Sequence, residues 1–332
     1  MAPAAQLARH ARQASVLGLA CCAALALGCD GEVVNLGSSP LAAGGTGGAS
    51  AGAGGVTSGP DGVWSLQSQP LIPQEPGILL ANPTLTAALD ELYYSQQTRG
   101  ADPLPHPTTV QRVVALGTGW SAPTEQVLGD LKMPDVSSPA VSADGKELWL
   151  GRNLSGSTDI FHSARQGDGW TTPQLVPELS NADFDDVPRP PAVNGTIMPL
   201  SSKRHGGKPL YQIYLATRSS GDAPWTEPSK ALLGTIDSDA FQSADGFLSD
   251  DGLELYFSST RDGDHTDSDL FVARRATLEA SFGEPEALVD LNDPLPAQPS
   301  QERMPWLSPD RKRLFFASDR TGQYTLYQAT RL

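Results

Sequence analysis

Charged side chains gather just ahead of the segments that read as the first strands of a repeated unit. They are Asp135, then Asp183, Asp185, Asp186 and Arg189, then Asp237 and Asp239, then Glu302 and Arg303. Carboxylates at the mouth of a channel could bind a cation, an amine or sugar hydroxyls, and arginines among them add a grip for anions. Two facing carboxylates could instead serve as general acid and as base or nucleophile in glycoside hydrolysis. Asp135, Asp185 and Asp239 would be the candidates, each from a different unit. Hydrogen bonding between neighbouring loops is the structural alternative. The candidate ligand-binding set is Asp135, Asp185, Asp186, Arg189, Asp239 and Arg303.

Other chemistry is sparse. The five histidines, His10, His106, His162, His205 and His265, form no HExxH pair, and neither a G-x-S-x-G elbow nor a P-loop occurs. The cysteines are Cys21, Cys22 and Cys29, so residues 62–332 carry no disulfide, thiolate ligand or cysteine nucleophile. No metal and no cofactor is expected. Asp144, Asp251 and Asp310 recur in register and read as turn residues, not metal ligands, because Asp stabilises tight turns through its own backbone. Arg99, Arg152, Arg204, Arg261 and Arg320 also recur, either as a grip for an anion or as turn caps and ion pairs.

The net charge of −15 excludes nucleic acid as a partner, since that class needs a basic surface to displace counterions. With Gly 33 and Pro 28 in 332 residues, the chain has many turns and room for few long elements.

Residues 1–28 read as an export signal. Arg9, His10 and Arg12 precede an uncharged apolar stretch too short for an ordinary membrane span. It ends in LALGC (25–29), which resembles the lipobox of bacterial lipoproteins. That resemblance implies a lipidated Cys29 at the mature N-terminus. Residues 29–61 then form a linker. GSSPLAAGGTGGASAGAGGVTSGP (37–60) has no charge and no aromatic, so it cannot bury a core. About 30 such residues span roughly 30 Å.

The elements that must position the acids come from a repeat. An aromatic followed three residues later by Pro occurs at Trp120, Trp170, Trp225 and Phe282, with a weaker copy at Trp64, in steps of 56, 50, 55 and 57 residues. A first-strand ladder reads NPTLT (82–86), SPAVS (138–142), PPAVN (190–194), DGFLS (245–249) and MPWLS (304–308). Turns follow at Asp90, Asp144, Asn194, Asp251 and Asp310, and further strands end in Arg165, Arg218, Arg274 and Arg331. Alternating polarity, β-branched and aromatic enrichment and Asp-Gly turns give four strands per unit. Five such units over residues 62–332 predict an all-β, five-bladed β-propeller with four-stranded antiparallel blades. The third unit lacks the acidic turn residue and carries Pro199, which predicts an edge distortion. The last unit ends before any outer strand. WSLQSQPLI (64–72), in phase with the aromatic ladder, is expected to supply that strand and close the ring.

SDDGLELYFSSTR (249–261) and LSPDRKRLFFASDR (307–320) resemble the WD40-like propeller repeat of the TolB type. The resemblance implies an envelope propeller serving as a binding platform, without fixing a ligand. The expectation is therefore a non-enzymatic module on the periplasmic side or outer-membrane surface of a bacterial envelope. It would bind an envelope protein or polysaccharide, and meet the membrane only through its lipid. A five-bladed glycoside hydrolase is the alternative.

Overall fold

The computed structural model describes residues 63–332 apart from 99–107, 118, 130–134, 154–155, 205–209, 263–266 and 293–299. The signal, the linker and Cys29 lie outside the described residues, as do Arg99, His106, His205 and His265.

After a short strand β1 (Trp64–Leu66), the first blade runs through β2 (Ile78–Leu85), β3 (Glu91–Thr98), β4 (Thr108–Leu116), β5 (Gly119–Trp120) and β6 (Thr124–Glu125). The second comprises β7 (Val136–Val141), β8 (Glu147–Asn153), β9 (Thr158–Gln166), β10 (Gly169–Trp170) and β11 (Gln174–Leu175). The third has β12 (Asp186–Pro188), β13 (Ile197–Ser202) and β14 (Gln212–Thr217). The fourth has β15 (Ser243–Leu248), β16 (Glu254–Ser259), β17 (Asp269–Arg274) and β18 (Glu286–Ala287). The fifth has β19 (Glu302–Leu307), β20 (Arg313–Ser318) and β21 (Thr325–Arg331). Each blade is an antiparallel meander, and apolar residues of successive blades interlock between them.

The ring closes as its phase predicts. β1 pairs antiparallel with β21, Trp64 opposite Arg331 and Leu66 opposite Ala329, and becomes the outer strand of the fifth blade. Beyond β1 the pairing continues, with Gln67 N–H donating to Gln328 O and Leu71 N–H to Leu326 O. The pairing covers the open edge of β21 and leaves only the short β1 as the outer edge of that blade.

Four innermost strands carry a β-bulge, at Ala81/Thr84, Ser137/Ala140, Ala244/Phe247 and Arg303/Trp306. One residue in each adopts a left-handed backbone: Asn82, Ser138, Asp245 and Met304, with φ between 51° and 60°. In the third blade the equivalent residue is Pro188, whose ring fixes φ near −65°. No residue of 186–192 turns left-handed and β12 stops at Pro188, although the register still slips by one residue between Pro188, opposite Leu200, and Ala192, opposite Ile197. The register is two residues away from the sequence ladder. Ala192 bridges Ile197 across the Asn194-Gly195 turn, as Ser249 bonds Glu254 across Asp251-Gly252, so residues 188–192 and not 190–194 match 245–249. The distortion also lies on the innermost strand and not at Pro199, which pairs with Leu215 inside β13. The Pro199 carbonyl accepts from Arg189 N–H, so the side lacking an N–H faces the broken strand. The blade's fourth strand is reduced to a Leu215–Ser229 bridge.

The turn aspartates fold their own hairpins. Asp144, Asp251 and Asp310 each accept from a serine hydroxyl and from the N–H two residues on. Gly145 (φ 69°) and Gly252 (φ 71°) take the left-handed position that follows.

Candidate functional site

The innermost strands define two faces. They begin at a mouth face and end at the Asp-Gly turns of a turn face. The structure gathers part of the candidate set at the centre of the mouth face and disperses the rest.

Asp185 precedes β12 and is the organising acid. Its Oδ1 accepts from Thr158 N–H at 2.8 Å, and its Oδ2 accepts from Tyr211 Oη at 3.2 Å and pairs with Lys203 Nζ at 3.1 Å. Lys203 Nζ also lies 4.7 Å from the Tyr211 ring centroid. Lys203 and Asp185 keep about a quarter of their side chains in solvent. Asp159, which opens the third strand of the neighbouring blade, is pushed above the usual carboxylate range by burial and then by the charge of Asp185. Burial followed by Asp185 likewise raises Tyr211 far above its ordinary value, with Arg303 opposing.

Arg303 and Arg189 lie deeper, each 1% exposed. Arg303 donates Nε to Asp245 Oδ2 at 3.3 Å and brings Nη2 to 3.2 Å of it, while Ser258 Oγ donates to the same oxygen at 2.8 Å. Arg189 reaches from the third blade across the channel to the Pro305 carbonyl on β19. The channel is therefore plugged beneath its mouth, and these two guanidiniums are its plug, not part of an open surface.

Asp186 is fully buried. It pairs with Arg204 Nη2 at 2.7 Å and accepts from Asn181 N–H. The fifth blade repeats this latch with Glu302 and Arg320. Three of the recurring arginines share the remaining contacts of this latch, whereas Arg152 lies over the Phe161 ring with no hydrogen-bond partner for its Nε among the described residues. Arg204, Arg261 and Arg320 each donate Nε to a serine two residues back, and Nη2 to the Leu179, Ile236 or Leu291 carbonyl of the loop that leads from the preceding blade into the arginine's own. Aromatic rings stack on the guanidiniums, Tyr214 on Arg204 and Phe316 and Tyr327 on Arg320. Asp135 and Asp239 are exposed.

Sequence reasoning missed Tyr211, Lys203, Asp159 and Asp245. Asp245 had a signal: it is the acid at a register position that other blades fill with Asn82, Ser138 and Met304. Among the described residues no group of three or more His, Cys, Asp or Glu could hold a metal ion.

No family model and no characterised protein matches the chain. Solved structures do. The complex of BT0996 with RGII superposes with a TM-score of 0.57 at 10% identity, covering 81% of this chain and 92% of that one. A glycoside hydrolase gives 0.56 at 13% identity, over 78% of this chain and 88% of the other. A TolB protein from Agrobacterium tumefaciens gives 0.45 at 17% identity, over 72% and 70%. At these identities the likeness is one of fold, the β-propeller that the strand order already displays.

Proposed function

We propose that the chain is an exported binding module, lipidated at Cys29, carried on the 29–61 linker, and engaging an envelope protein or cell-wall polysaccharide at its mouth face without turning it over. The observation that carries this reading is the Asp185–Lys203–Tyr211 group. It offers a carboxylate and an ammonium partly open to solvent, fixed by the buried Tyr211 phenol beneath them, above a plugged channel. Rigid polar groups at the centre of a scaffold face are the usual make-up of a binding site. In this reading Asp185 touches the ligand, with Asp135 and Asp239 on the rim, while Asp186, Arg189 and Arg303 support the face from below.

Topology adds an orientation. Leu332 N–H donates to Val63 O at the turn face, so the linker joins the domain there. The mouth face is on the opposite side of the propeller from Val63.

One observation favours hydrolysis. Asp159, its pKa raised by burial beside Asp185, resembles an acid paired with an ionised partner. The deciding experiment is capture from native envelopes by crosslinking, using the detergent-extracted protein and its D185N/K203A double variant, alongside an assay for new reducing ends on envelope polysaccharides. The binding reading expects capture that the double variant loses while its melting temperature holds, with no new reducing ends. Reducing ends that vanish in Asp159→Asn would establish the hydrolase instead. Capture that survives in the double variant would remove this face from consideration.

A further inference from the structure

The channel has a second opening, on the turn face. In every blade one N–H bonds across the turn that follows the innermost strand: Thr86 to Glu91 O, Ser142 to Glu147 O, Ala192 to Ile197 O, Ser249 to Glu254 O and Ser308 to Arg313 O. The next residues, Ala87, Ala143, Val193, Asp250 and Pro309, therefore stand at one register position around this opening. Four of them are apolar and one is an acid. Bonds between blades pin them, from Ala87 N–H to Ala143 O and from Val193 N–H to Asp250 O. Inside lies a pit of about 20 Å³, to which each blade gives an apolar wall residue, Leu85, Val141, Pro191, Phe247 and Trp306, with Asp250 beside them. The contact of Arg189 with Pro305 O closes the channel below it. A larger cavity, of about 120 Å³, lies between the turns of the fourth and fifth blades and shares Asp250 and Pro309 with the pit. Its other polar groups are engaged. Ser249 Oγ donates to Asp251 and accepts from Glu254 N–H, and Ser308 Oγ donates to Asp310 and accepts from Arg313 N–H. Arg311 pairs with Asp251 and Glu254. The Asp250 carboxylate, open to solvent, has no hydrogen bond or ion pair among the described residues. Partial burial and then the charge of Asp251 raise its pKa, and Arg311 acts against them.

We propose that the turn-face opening binds a small primary alkylammonium, its alkyl end in the apolar pit and its ammonium on the Asp250 carboxylate. Charge complementarity selects this occupant. The acid stands at the edge of an apolar wall, so the ligand that matches both carries one cationic head on an apolar body. The pit has room for a methyl-sized group, and the larger cavity for the head and its remaining water. The walls belong to strands and bonded turns, so the site is formed before the ligand arrives. An ammonium also relieves the carboxylate of its partial burial beside Asp251. The site is on the opposite face from the Asp185 group and does not depend on it.

The test is fluorine NMR of the detergent-extracted full chain labelled with fluorotryptophan. Trp306, in the wall of the pit, supplies the signal, and Trp306→Phe identifies its resonance. n-Propylammonium chloride should shift that resonance with half-saturation on the order of 10 mM, the range open to so small a ligand. 1-Propanol has the tail without the charge, and ammonium chloride the charge without the tail. Each should need at least about fivefold more, with sodium chloride holding ionic strength constant. Asp250→Asn should bring propylammonium to the level of propanol, while the propanol shift and the melting temperature stay as they were. Ala87→Leu narrows the pit and should weaken amine and alcohol alike. A Trp306 resonance indifferent to about 100 mM propylammonium, equal half-saturation by propanol in the wild type, or undiminished propylammonium binding in Asp250→Asn would overturn the proposal.

Discussion

The guanidinium carbon of Arg331 lies 4.6 Å from the ring centroid of Trp64, so residues from the two ends of the propeller stack within one blade. They are also cross-strand partners. The same pair recurs as Arg165 on Trp170, Arg218 on Trp225 and Arg275 on Phe282, at 5.1, 4.3 and 4.6 Å. Trp120 of the first blade faces Ala115 and is only half-buried. The outer aromatics and the terminal arginines Arg165, Arg218 and Arg331 are therefore two halves of one contact, whereas in the fourth blade Arg275 takes the ring and the ladder residue Arg274 pairs with Glu254 and Glu286. Trp64→Ala removes a buried ring together with its cation–π partner, an expected loss of about 3 kcal/mol. Hydrogen exchange in the variant should accelerate first over residues 324–331, where Leu326 and Tyr327 are now buried. Uniform acceleration over all five blades would contradict a local seam.

Glu91 bridges the first two blades. It accepts from Arg165 Nη1 and Nη2 at 2.9 and 3.0 Å and from Tyr93 Oη at 2.8 Å, and pairs with Arg112. Burial raises its pKa, but the bonds from Arg165 and Tyr93 and the charge of Arg112 outweigh that and hold it below the ordinary glutamate value. A depressed folded pKa adds stability above the unfolded value near 4.3, and this is lost as pH falls through the folded value. Glu91→Gln is expected to cost about 1–2 kcal/mol at pH 7. Denaturant midpoints of the variant and the wild type should converge as pH falls below the ordinary glutamate range.

Asp269 behaves in the opposite sense. Burial, then the neighbouring Glu302, Asp262 and Asp267, push it up to about 6. Its folded form holds a proton that the unfolded chain releases near 3.9, so stability declines as pH rises from about 4 to 6 and stays lower beyond. Asp269→Asn should raise the melting temperature at pH 8 by a few degrees and leave it nearly unchanged at pH 4, the gain being about 1 kcal/mol after solvent screening. Equal shifts at both pH values would mean that the carboxylate charge is not the cause.

Blade number and ring closure were legible because both are matters of phase: Trp64 stands one step before Trp120 on the aromatic ladder. The third blade's register was not. A two-residue slip returns every side chain to the same face, so alternation alone does not distinguish PPAVN from the correct frame. Pro188 carried the missing signal, since proline cannot adopt the left-handed φ that its siblings take at this position. Arg189 and Arg303 read as surface groups because an arginine's burial depends on what crosses the channel to meet it, which no local pattern encodes. Asp185 was found by its place before a first strand, whereas Tyr211 and Lys203 come from the far side of the same blade's hairpin and share no spacing with it.

Two of the four bulges receive a hydroxyl from the preceding blade, while at Asn82 the N–H donates to Met304 Sδ. Ser138 N–H donates to Ser95 Oγ at 2.9 Å, and Asp245 N–H to Ser201 Oγ at 2.8 Å. By register the matching residue before the third blade is Gly151, opposite Ser137, and there the bulge position is Pro188, which has no N–H to satisfy. Ser95→Ala and Ser201→Ala should each leave a buried donor unpaired and cost about 1–3 kcal/mol. At Gly151 no hydroxyl is called for, and a Cβ would sit 3.1 Å from Thr158 Cγ2 and 3.4 Å from Ser137 Oγ. Gly151→Ser is therefore expected to destabilise through crowding with no compensating bond. Urea midpoints for the three variants check this, and a stabilised Gly151→Ser would show that the third blade accepts the same latch as its neighbours.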